Sequence, residues 1–457
     1  MSNQYKDQGG AATYAPSRFR RWMTSKIMSK YGSLRMQQKK HQQAESNRKK
    51  NNAQHTVEYF HQVEDGYSFL AAQTLLKLKD QYNIDIRCHL VSGPQDRNLP
   101  EPDLLIKLSG YDSYNISSYY GLDFPSDYHQ PNDDLIERAK SILAAQNNSG
   151  FLNIASKVSH ALWLGHFSEL EAIASEHGSC DPKKADAVIN AGSARQAQLK
   201  HYSGAMFFYG NEWYWGVDRL YHLENRLTDL GLNKNKDGGI LYDRPQVETT
   251  LVDDGSLTFE IFPSLRSPYT ALIFDPAVQM ARDKGVNLRV RPVLPMVMRG
   301  LPVTFEKGLY IFSDSAREAR AANIEFGNMY DPVGDPVRRG YSLYPWACKQ
   351  GKGIELISSF LKAAFVKGIN LNTNIGLKKM VENAGLDWKE AKSIVGNSEW
   401  EEELEHNRLS LVKSGLWGVP SFRLFDENDK QVLAAWGQDR LWLFSKTIDK
   451  IIKNRNN

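Results

Sequence analysis

The sequence predicts an α/β protein built from two tandem copies of one unit, each interrupted by an inserted helical segment. Two observations lead to this prediction. A strand pattern, an apolar helix and a second strand-like run follow one another twice, beginning at Thr56 and at Phe259, and this succession is typical of a β-α-β unit. The pattern Trp-Gly-x-Asp-Arg-Leu also occurs twice, at 215–220 and at 436–441. Together they indicate an internal duplication.

Length and composition narrow the class of protein. A chain of 457 residues exceeds what one hydrophobic core usually serves, so two domains plus an extension are expected. No apolar run approaches the roughly 20 residues that span a bilayer, and the N-terminus lacks the apolar core of a secretory signal. The cysteines Cys88, Cys180 and Cys348 form no Cys-x-x-Cys pair, which favours a reducing compartment. The prediction is a soluble cytoplasmic protein, monomeric or homodimeric.

Composition also sets the predicted boundaries. Four segments are expected in order: a basic, partly disordered or helical extension over 1–54, a first copy over 55–232, a linker over 233–254 and a second copy over 255–457. Each copy should contain a long helical insertion, at roughly 130–200 and 300–415.

The extension is strongly basic, since residues 1–54 hold twelve Lys and Arg against the two acids Asp7 and Glu45. From Ser17 to about Lys40, apolar residues recur near helical spacing, which predicts an amphipathic basic helix. A disordered tail, or a helix docked on its own protein, is one interpretation; peripheral contact with anionic lipid or nucleic acid is another. Because nothing else in the chain combines basic and aromatic residues, no nucleic-acid partner is predicted. The apolar residues are Phe19, Trp22, Met23, Ile27, Met28, Tyr31 and Leu34.

The second copy carries the stretch that points to chemistry. Its first strand, Phe259–Phe262, breaks at a loop and enters a helix at Ser267-Pro268, with Ser at the N-cap and Pro at the first helical position. A helix N-terminus presents unpaired N–H groups and the positive end of a dipole, which stabilise an anion such as a thiolate. No cysteine lies near, so the sulfur should come from outside the chain.

The first copy lacks these features. When Val57–Ser68 is laid over Phe259–Thr270, Asp65 replaces the serine and Gly66 replaces the proline. Further along, Met206 stands where the second copy has Pro420. An aspartate would repel a thiolate at close range. The first copy is therefore predicted to be degenerate and to serve as a scaffold.

A β-α-β unit, a helical insertion, and Gly418-Val419-Pro420 before two hairpin strands and a last helix resemble the thioredoxin fold of the DsbA-like superfamily. Ser267-Pro268-Tyr269-Thr270 lies where the redox members of that superfamily carry Cys-Pro-His-Cys. Without those cysteines, dithiol–disulfide exchange by this motif is unavailable. A serine in the first position is similar to the 2-hydroxychromene-2-carboxylate isomerases and kappa-class glutathione transferases. A further match covers 291–317, except that Gly300-Leu301-Pro302 lacks the asparagine of that subfamily.

This resemblance implies a set of site residues and glutathione as the cofactor. Ser267 would stabilise the glutathione thiolate without itself attacking. A cis Val419-Pro420 bond, as is frequent at this place in thioredoxin folds, would leave the Val419 N–H and C=O free to pair with the peptide. The implied glutathione-binding residues are Val419, Pro420, Gln438, Asp439 and Lys307, with Gln438 and Asp439 predicted to begin the last helix. The substrate-pocket residues would be Tyr269, Tyr310, Trp417 and Trp436. No metal is implied.

Each assignment has a structural alternative. Ser267 can be an ordinary N-cap, Pro420 a strand-edge proline and Lys307 a solvated lysine. Asp439 can be a cap with Arg440 as its buried partner, and the aromatic residues can belong to the core.

The function that these features favour is a glutathione-dependent isomerase or a kappa-like transferase acting on a small aromatic or conjugated molecule. A non-catalytic thioredoxin-fold binding or scaffold protein is the alternative of a different class. A disulfide oxidoreductase is disfavoured because the Cys-x-x-Cys pair is missing.

Overall fold

A computed structural model describes residues 15–94, 102–235, 238–301 and 303–456. The chain divides into two compact units, one comprising Gln38–Arg244 and the other comprising Pro245–Asn457 together with the residues up to Gln37. The division therefore falls inside the extension predicted over 1–54. Parts of that extension (1–14), of the predicted linker (236–237) and of the Leu301-Pro302 motif lie outside the described residues.

The extension contains two helices, α1 (Arg18–Tyr31) and α2 (Leu34–Lys50). The single helix predicted over Ser17–Lys40 is thus interrupted at Gly32-Ser33. The position of Gly32 has no room for a side chain, because a Cβ there would lie 2.8 Å from the ring of Phe312. Glycine permits this close approach and also weakens a helix interior. The predicted helical character is confirmed, and its continuity is wrong.

The unit Gln38–Arg244 is built on a four-stranded sheet, and we call it the β1–β4 unit. Strand β1 runs parallel to β2 and antiparallel to β3, giving the order β2-β1-β3-β4. The predicted β-α-β unit is confirmed. Its elements are β1 (Thr56–Gln62), α3 (Gly66–Gln81), β2 (Asp85–Val91), α4 (Pro102–Ser117), α5 (Asp133–Ala144), α6 (Asn148–Trp163), α7 (Phe167–His177), α8 (Pro182–Gln198), β3 (Met206–Tyr209), β4 (Glu212–Trp215) and α9 (Leu220–Asp229).

The second unit has a sheet of the same pattern and is called the β5–β8 unit. Its order is β6-β5-β7-β8, with β5 parallel to β6 and antiparallel to β7. Its elements are β5 (Thr258–Phe262), α10 (Pro268–Asp283), β6 (Asn287–Val290), α11 (Phe305–Ala321), α12 (Asp335–Ser342), α13 (Tyr344–Lys349), α14 (Gly353–Phe365), α15 (Asn374–Asn383), α16 (Trp388–Ile394), α17 (Trp400–Lys413), β7 (Ser421–Phe425), β8 (Gln431–Trp436) and α18 (Leu441–Asn456). The predicted two-domain α/β class is therefore observed.

One predicted boundary is wrong. The first helical insertion was expected from about residue 130, but α4 already begins at Pro102. The α4 sequence is rich in Ser, Tyr and Asn, which are weak helix formers. Packing decides the outcome, because Leu108, Asp112 and Ile116 are buried at helical spacing and α4 packs against α3. Tertiary contact thus overrides a weak local preference.

A buried carboxylate lies in the central strand of each sheet. Glu260 on β5 accepts from Arg291 Nε at 2.9 Å and from Arg423 Nε at 2.8 Å, and it is 1% exposed. Glu58 on β1 accepts from Arg195 Nε and pairs with His89 Nε2, both at 2.9 Å. Burial alone would raise the pKa of Glu58, but the hydrogen bonds from Arg195 and His89 lower it to about 2. Paired in this way, a carboxylate is tolerated inside a sheet.

Helix α1 docks on the β5–β8 unit through polar side chains. Arg21 donates to the carbonyls of Asp331 and Val333, both at 2.6 Å, while Ser25 accepts from the Asp331 amide at 2.9 Å. Ser29 accepts from the Met329 amide, also at 2.9 Å. The docked interpretation of this helix is therefore observed. None of the helices in the described ranges is long and apolar enough to cross a membrane.

Candidate active site

The start of α10 is formed as the sequence predicts. Ser267 is the N-cap, and its hydroxyl oxygen accepts from the Thr270 amide at 3.1 Å. Pro268 occupies the first turn, where its missing N–H costs no hydrogen bond. Ser267 is partly exposed, and its hydroxyl lies at the N-terminus of α10.

The fold brings the Val419-Pro420 segment to this serine. The Ser267 hydroxyl donates to the Val419 carbonyl at 3.3 Å, and the Val419-Pro420 bond is cis. The prediction of a free Val419 carbonyl is wrong, because the side chain of Ser267 already occupies that acceptor. The Val419 amide differs, since no residue that the structure describes accepts from it. One backbone group of the predicted pair is thus available for a ligand.

Helix α11 lines the same region through one stripe of residues at helical spacing, Lys307, Tyr310, Asp314 and Glu318. The Tyr269 hydroxyl, two residues after Ser267, donates to Asp314 Oδ2 at 2.8 Å. Asp314 is 2% exposed and is paired in turn with Arg317 at 2.6 Å. The ring of Tyr269 is thereby held against α11.

Lys307 lies in the first turn of this stripe and is only partly exposed. Burial lowers the pKa of its ammonium group to about 8. A solvated lysine would keep a value near 10.4. A partly buried ammonium group of this kind would gain more from a nearby carboxylate than a fully solvated one would.

The segment before α18 differs from the prediction. Gln438 and Asp439 were expected to begin the last helix, but Gln438–Arg440 form a 3-10 turn and α18 begins at Leu441. Gly437 precedes the turn with φ of 105°, which a side chain would disfavour. The side-chain Nε2 of Gln438 donates to Glu318 Oε2 at 3.0 Å and also contacts Asp439 Oδ1. This network joins the turn to α11.

Two tryptophans flank the cis-proline segment. The rings of Trp417 and Trp436 lie 5.2 Å apart, and the Trp417 indole nitrogen is buried without a hydrogen-bond partner among the described residues. Trp417 is 8% exposed, so most of its side chain is packed in the core. Between them, Gly418 leaves no room for a side chain, because a Cβ would lie 2.1 Å from Trp436 Nε1.

We expect Gly418→Ala to destabilise the protein by about 1–3 kcal/mol, because the rigid indole of Trp436 must be displaced. The free energy of unfolding in urea measures this effect. Gly308→Ala is the matched control, since its nearest heavy atom is 3.8 Å away and α11 would gain helix propensity. Equal stability of the Gly418→Ala variant and the wild-type protein would contradict the observed packing.

The corresponding place in the β1–β4 unit is closed. Asp65 caps α3 by accepting from the Ser68 amide at 2.9 Å and the Ser68 hydroxyl at 2.8 Å. The backbone of Ser109 lies 2.6 Å from where a Cβ of Gly66 would be, so α4 covers the helix start. Burial raises the pKa of Asp65 to about 6, which still leaves it mostly anionic at pH 7. Neither space nor charge suits a thiolate here.

One contact is reproduced in both units. The Tyr67 hydroxyl donates to Asp112 Oδ2 at 2.8 Å, as Tyr269 does to Asp314. In each unit the two partners are 45 residues apart in sequence. A contact present where the rest of the site is absent favours a structural role for Tyr269, as an orienting contact between α10 and α11.

Sequence reasoning missed three residues around the site. Arg266, directly before Ser267, pairs with Asp331 Oδ1 at 3.0 Å. Burial acts to raise the pKa of Asp331, but the charge and hydrogen bond of Arg266, together with the Val333 amide and the charge of Arg21, lower it. The third is Glu318, the acceptor for Gln438. The charge of Arg266 beside the motif could have been noticed in the sequence. Its partner Asp331 could not have been identified, because it lies 65 residues away.

The site thus combines a serine at a helix N-terminus, a cis-proline segment and a helix with one charged stripe, in an α/β fold with a helical insertion. Residues 258–449 match the family described as DSBA-like thioredoxin domain. This part of the chain is therefore similar to that family. No curated protein matches the chain.

The solved structures that match this chain share little of its sequence. A probable DsbA oxidoreductase from Streptomyces coelicolor is 18% identical, with a TM-score of 0.34, over 42% of this chain and 89% of that one. A 2-hydroxychromene-2-carboxylate isomerase is 15% identical, with a TM-score of 0.36, over 44% and 98%. The oxidoreductase DsbA from Xylella fastidiosa is 16% identical, with a TM-score of 0.28, over 46% and 91%.

Proposed function

We propose that the β5–β8 unit binds glutathione and uses its thiolate to isomerise or to conjugate a small aromatic or conjugated molecule. The observation that carries the proposal is the Ser267 hydroxyl, which caps α10 and lies 3.3 Å from the carbonyl before the cis-proline. In this fold that is where the redox members have their reactive cysteine. A serine there cannot form a disulfide, but it can donate a hydrogen bond to an external thiolate.

The surrounding residues support glutathione as the thiol. The Val419 amide can donate to a peptide carbonyl, as in addition of a short strand. Lys307 offers a poorly solvated cation for the glycine carboxylate. The turn at Gln438 and Asp439 would face the γ-glutamyl end, although Gln438 must then exchange its bond to Glu318 for one to the ligand.

The glutathione thiolate would be the nucleophile in both versions of the reaction. In the isomerase version, the thiolate adds to an electron-poor carbon of a double bond that is conjugated with a carbonyl group of the substrate. The π electrons move to the oxygen of that carbonyl group. Rotation about the new single bond follows, and return of the electron pair re-forms the double bond and expels the thiolate. In the transferase version, the adduct takes a proton from water and is released. Positioning and thiolate stabilisation would supply the acceleration.

We also propose that the two units arose by internal duplication and that only the second retained a thiol site. The shared strand order and the paired Tyr67–Asp112 and Tyr269–Asp314 contacts support the duplication. The covered helix start at Gly66 supports loss of the first site.

One observation favours a non-catalytic binding protein instead. The Ser267 hydroxyl already accepts one hydrogen bond and donates another within the protein, which satisfies an ordinary N-cap. Calorimetric titration with glutathione separates the two functions. The enzyme proposal expects heat of binding with a dissociation constant in the millimolar range or below. No heat at millimolar glutathione would contradict it, and helix capping would then be the role of Ser267.

Binding of S-methylglutathione, whose sulfur does not titrate, should weaken as the pH rises above about 8. The reason is that Lys307 loses its proton near that pH and its bond to a carboxylate loses its charge assistance. Lys307→Met should bind about tenfold more weakly at pH 7 and should lack this pH dependence. Calorimetry at a series of pH values measures both effects.

Lys378→Met is the matched control, because Lys378 is exposed on α15 and pairs only weakly with Glu382, at 3.6 Å. Titration of the ligand's own amino group changes the affinity of all three proteins equally. The difference between their pH profiles therefore reports on Lys307. The same pH profile for Lys307→Met and wild type would contradict the assignment.

A further inference from the structure

Helix α1 is amphipathic, but it docks with its polar face. Arg21, Ser25 and Ser29 are spaced four residues apart, and all three bond to residues 329–333 of the same unit. A surface helix normally turns its apolar side toward the core. Here most of the apolar side is turned toward the solvent, while Met28 is half-buried beside Gly308 of α11.

The outward face of α1 carries four large apolar side chains. Phe19, Met23 and Ile27 form one stripe at four-residue spacing, and the ring of Trp22 lies 6.2 Å from that of Phe19. The exposed fractions are 69% for Phe19, 50% for Trp22, 40% for Met23 and 45% for Ile27. A contiguous patch of this kind usually marks an interaction surface.

Positive charge surrounds this patch. The side chains of Arg18, Arg20, Lys26 and Lys30 are all exposed on the same helix. The sequence contains no Asp or Glu between Asp7 and Glu45. The occupant of this surface must therefore tolerate or attract cations while covering apolar side chains.

We propose that α1 is a peripheral anchor whose outward face inserts into an anionic lipid surface. Its apolar stripe would enter the boundary between headgroups and acyl chains, with Trp22 at the interface. The basic side chains are long enough to reach lipid phosphates while their methylene groups stay in the apolar layer. Nucleic acid suits the charge equally but would leave Met23 and Ile27 in water.

The docking contacts make this arrangement compatible with the folded protein. Because Arg21, Ser25 and Ser29 hold the opposite side of the helix, the apolar face can enter a bilayer while α1 stays on its unit. The anchor would thus hold the unit that contains Ser267 at a membrane surface, independently of whether that site binds glutathione.

The test is co-sedimentation of the full chain with vesicles of mixed phosphatidylglycerol and phosphatidylcholine. We expect binding that weakens with added salt and is much weaker with phosphatidylcholine alone. Replacing Phe19, Trp22 and Ile27 together by serine should lower the partition coefficient by at least about tenfold. Replacing Arg18, Arg20 and Lys26 together by glutamine should remove the preference for anionic vesicles.

The matched control is the triple variant Val252→Ser, Ile375→Ser and Leu409→Ser, which removes equally exposed apolar side chains elsewhere on the unit. It should bind vesicles like the wild-type protein. All the replaced side chains are exposed, so unchanged urea midpoints would show that the variants fold. Equal vesicle binding by the α1 serine variant and the wild type would overturn the proposal, as would binding of duplex DNA without binding of vesicles.

Discussion

Replacing Ser267 by alanine is expected to slow the reaction of bound glutathione with iodoacetamide by about tenfold or more at pH 7. The thiolate is the reacting species, and a free thiol with a pKa of about 8.5 is mostly protonated at neutral pH. The Ser267 hydroxyl would lower that pKa by donating to the sulfur. Mass spectrometry of the alkylated glutathione measures the rate without interference from Cys88, Cys180 and Cys348, all of which are free thiols.

The size of this effect follows from the hydrogen bond that changes. At present the hydroxyl donates to the neutral Val419 carbonyl at a long 3.3 Å. A bond to an ionised acceptor is about twice as strong as one between neutral groups, so a thiolate would draw the hydroxyl away from the carbonyl. A hydrogen bond to a charged group contributes about 1.5–3 kcal/mol. That corresponds to about one to two units in the thiol pKa.

The control must reproduce the loss of a helix cap without touching the site. Ser267→Ala also removes the N-cap of α10, at a cost of about 1 kcal/mol in stability. Thr373 caps α15 by accepting from the Gly376 amide at 3.0 Å. Thr373→Ala should therefore lose a similar stability and keep the wild-type alkylation rate. If Ser267→Ala also kept that rate, Ser267 would be a cap and nothing more.

Glu260→Ala is expected to lower the free energy of unfolding by about 3–5 kcal/mol, because it leaves a buried arginine without its carboxylate. Arg423 reaches Glu260 from β7, and its side chain is 8% exposed. Arg291 is 26% exposed and can turn toward water, so most of the cost should come from Arg423. A loss of this size is a large part of the 5–15 kcal/mol typical of a folded domain.

Urea denaturation followed by circular dichroism measures this loss, and Glu427→Ala is the control. Glu427 is an exposed residue paired with Arg455. An exposed ion pair contributes about 0–1 kcal/mol, so the control should stay close to the wild-type protein. Similar losses for the two variants would show that the Glu260 cluster is open to water and not buried.

The sequence predicts the framework well because the framework rests on local patterns. Strand-like runs around a helix identify β1–α3–β2 and β5–α10–β6. Ser267-Pro268 identifies the start of α10, because capping depends on residues only three apart. The same locality explains why Gly418-Val419-Pro420 could be assigned to the turn before β7.

Features that depend on distant packing could not be predicted. The Val419 carbonyl is occupied because Ser267, 152 residues away, reaches it. The bond from Gln438 to Glu318 spans 120 residues, and no local pattern signals it. Helix α4 has weak helix formers and becomes helical by packing on α3. The amphipathic pattern of α1 predicts a helix but not which face is docked, because Arg21 finds its acceptors near residue 331.

The pKa of the glutathione thiol in the complex tests the central proposal most directly. It can be followed by the ultraviolet absorbance of the thiolate as the pH is raised, with S-methylglutathione as the blank. We expect a value clearly below the value of about 8.5 for a free thiol, and a return toward it in Ser267→Ala. A bound thiol that titrates at the free value in the wild-type protein would contradict the account.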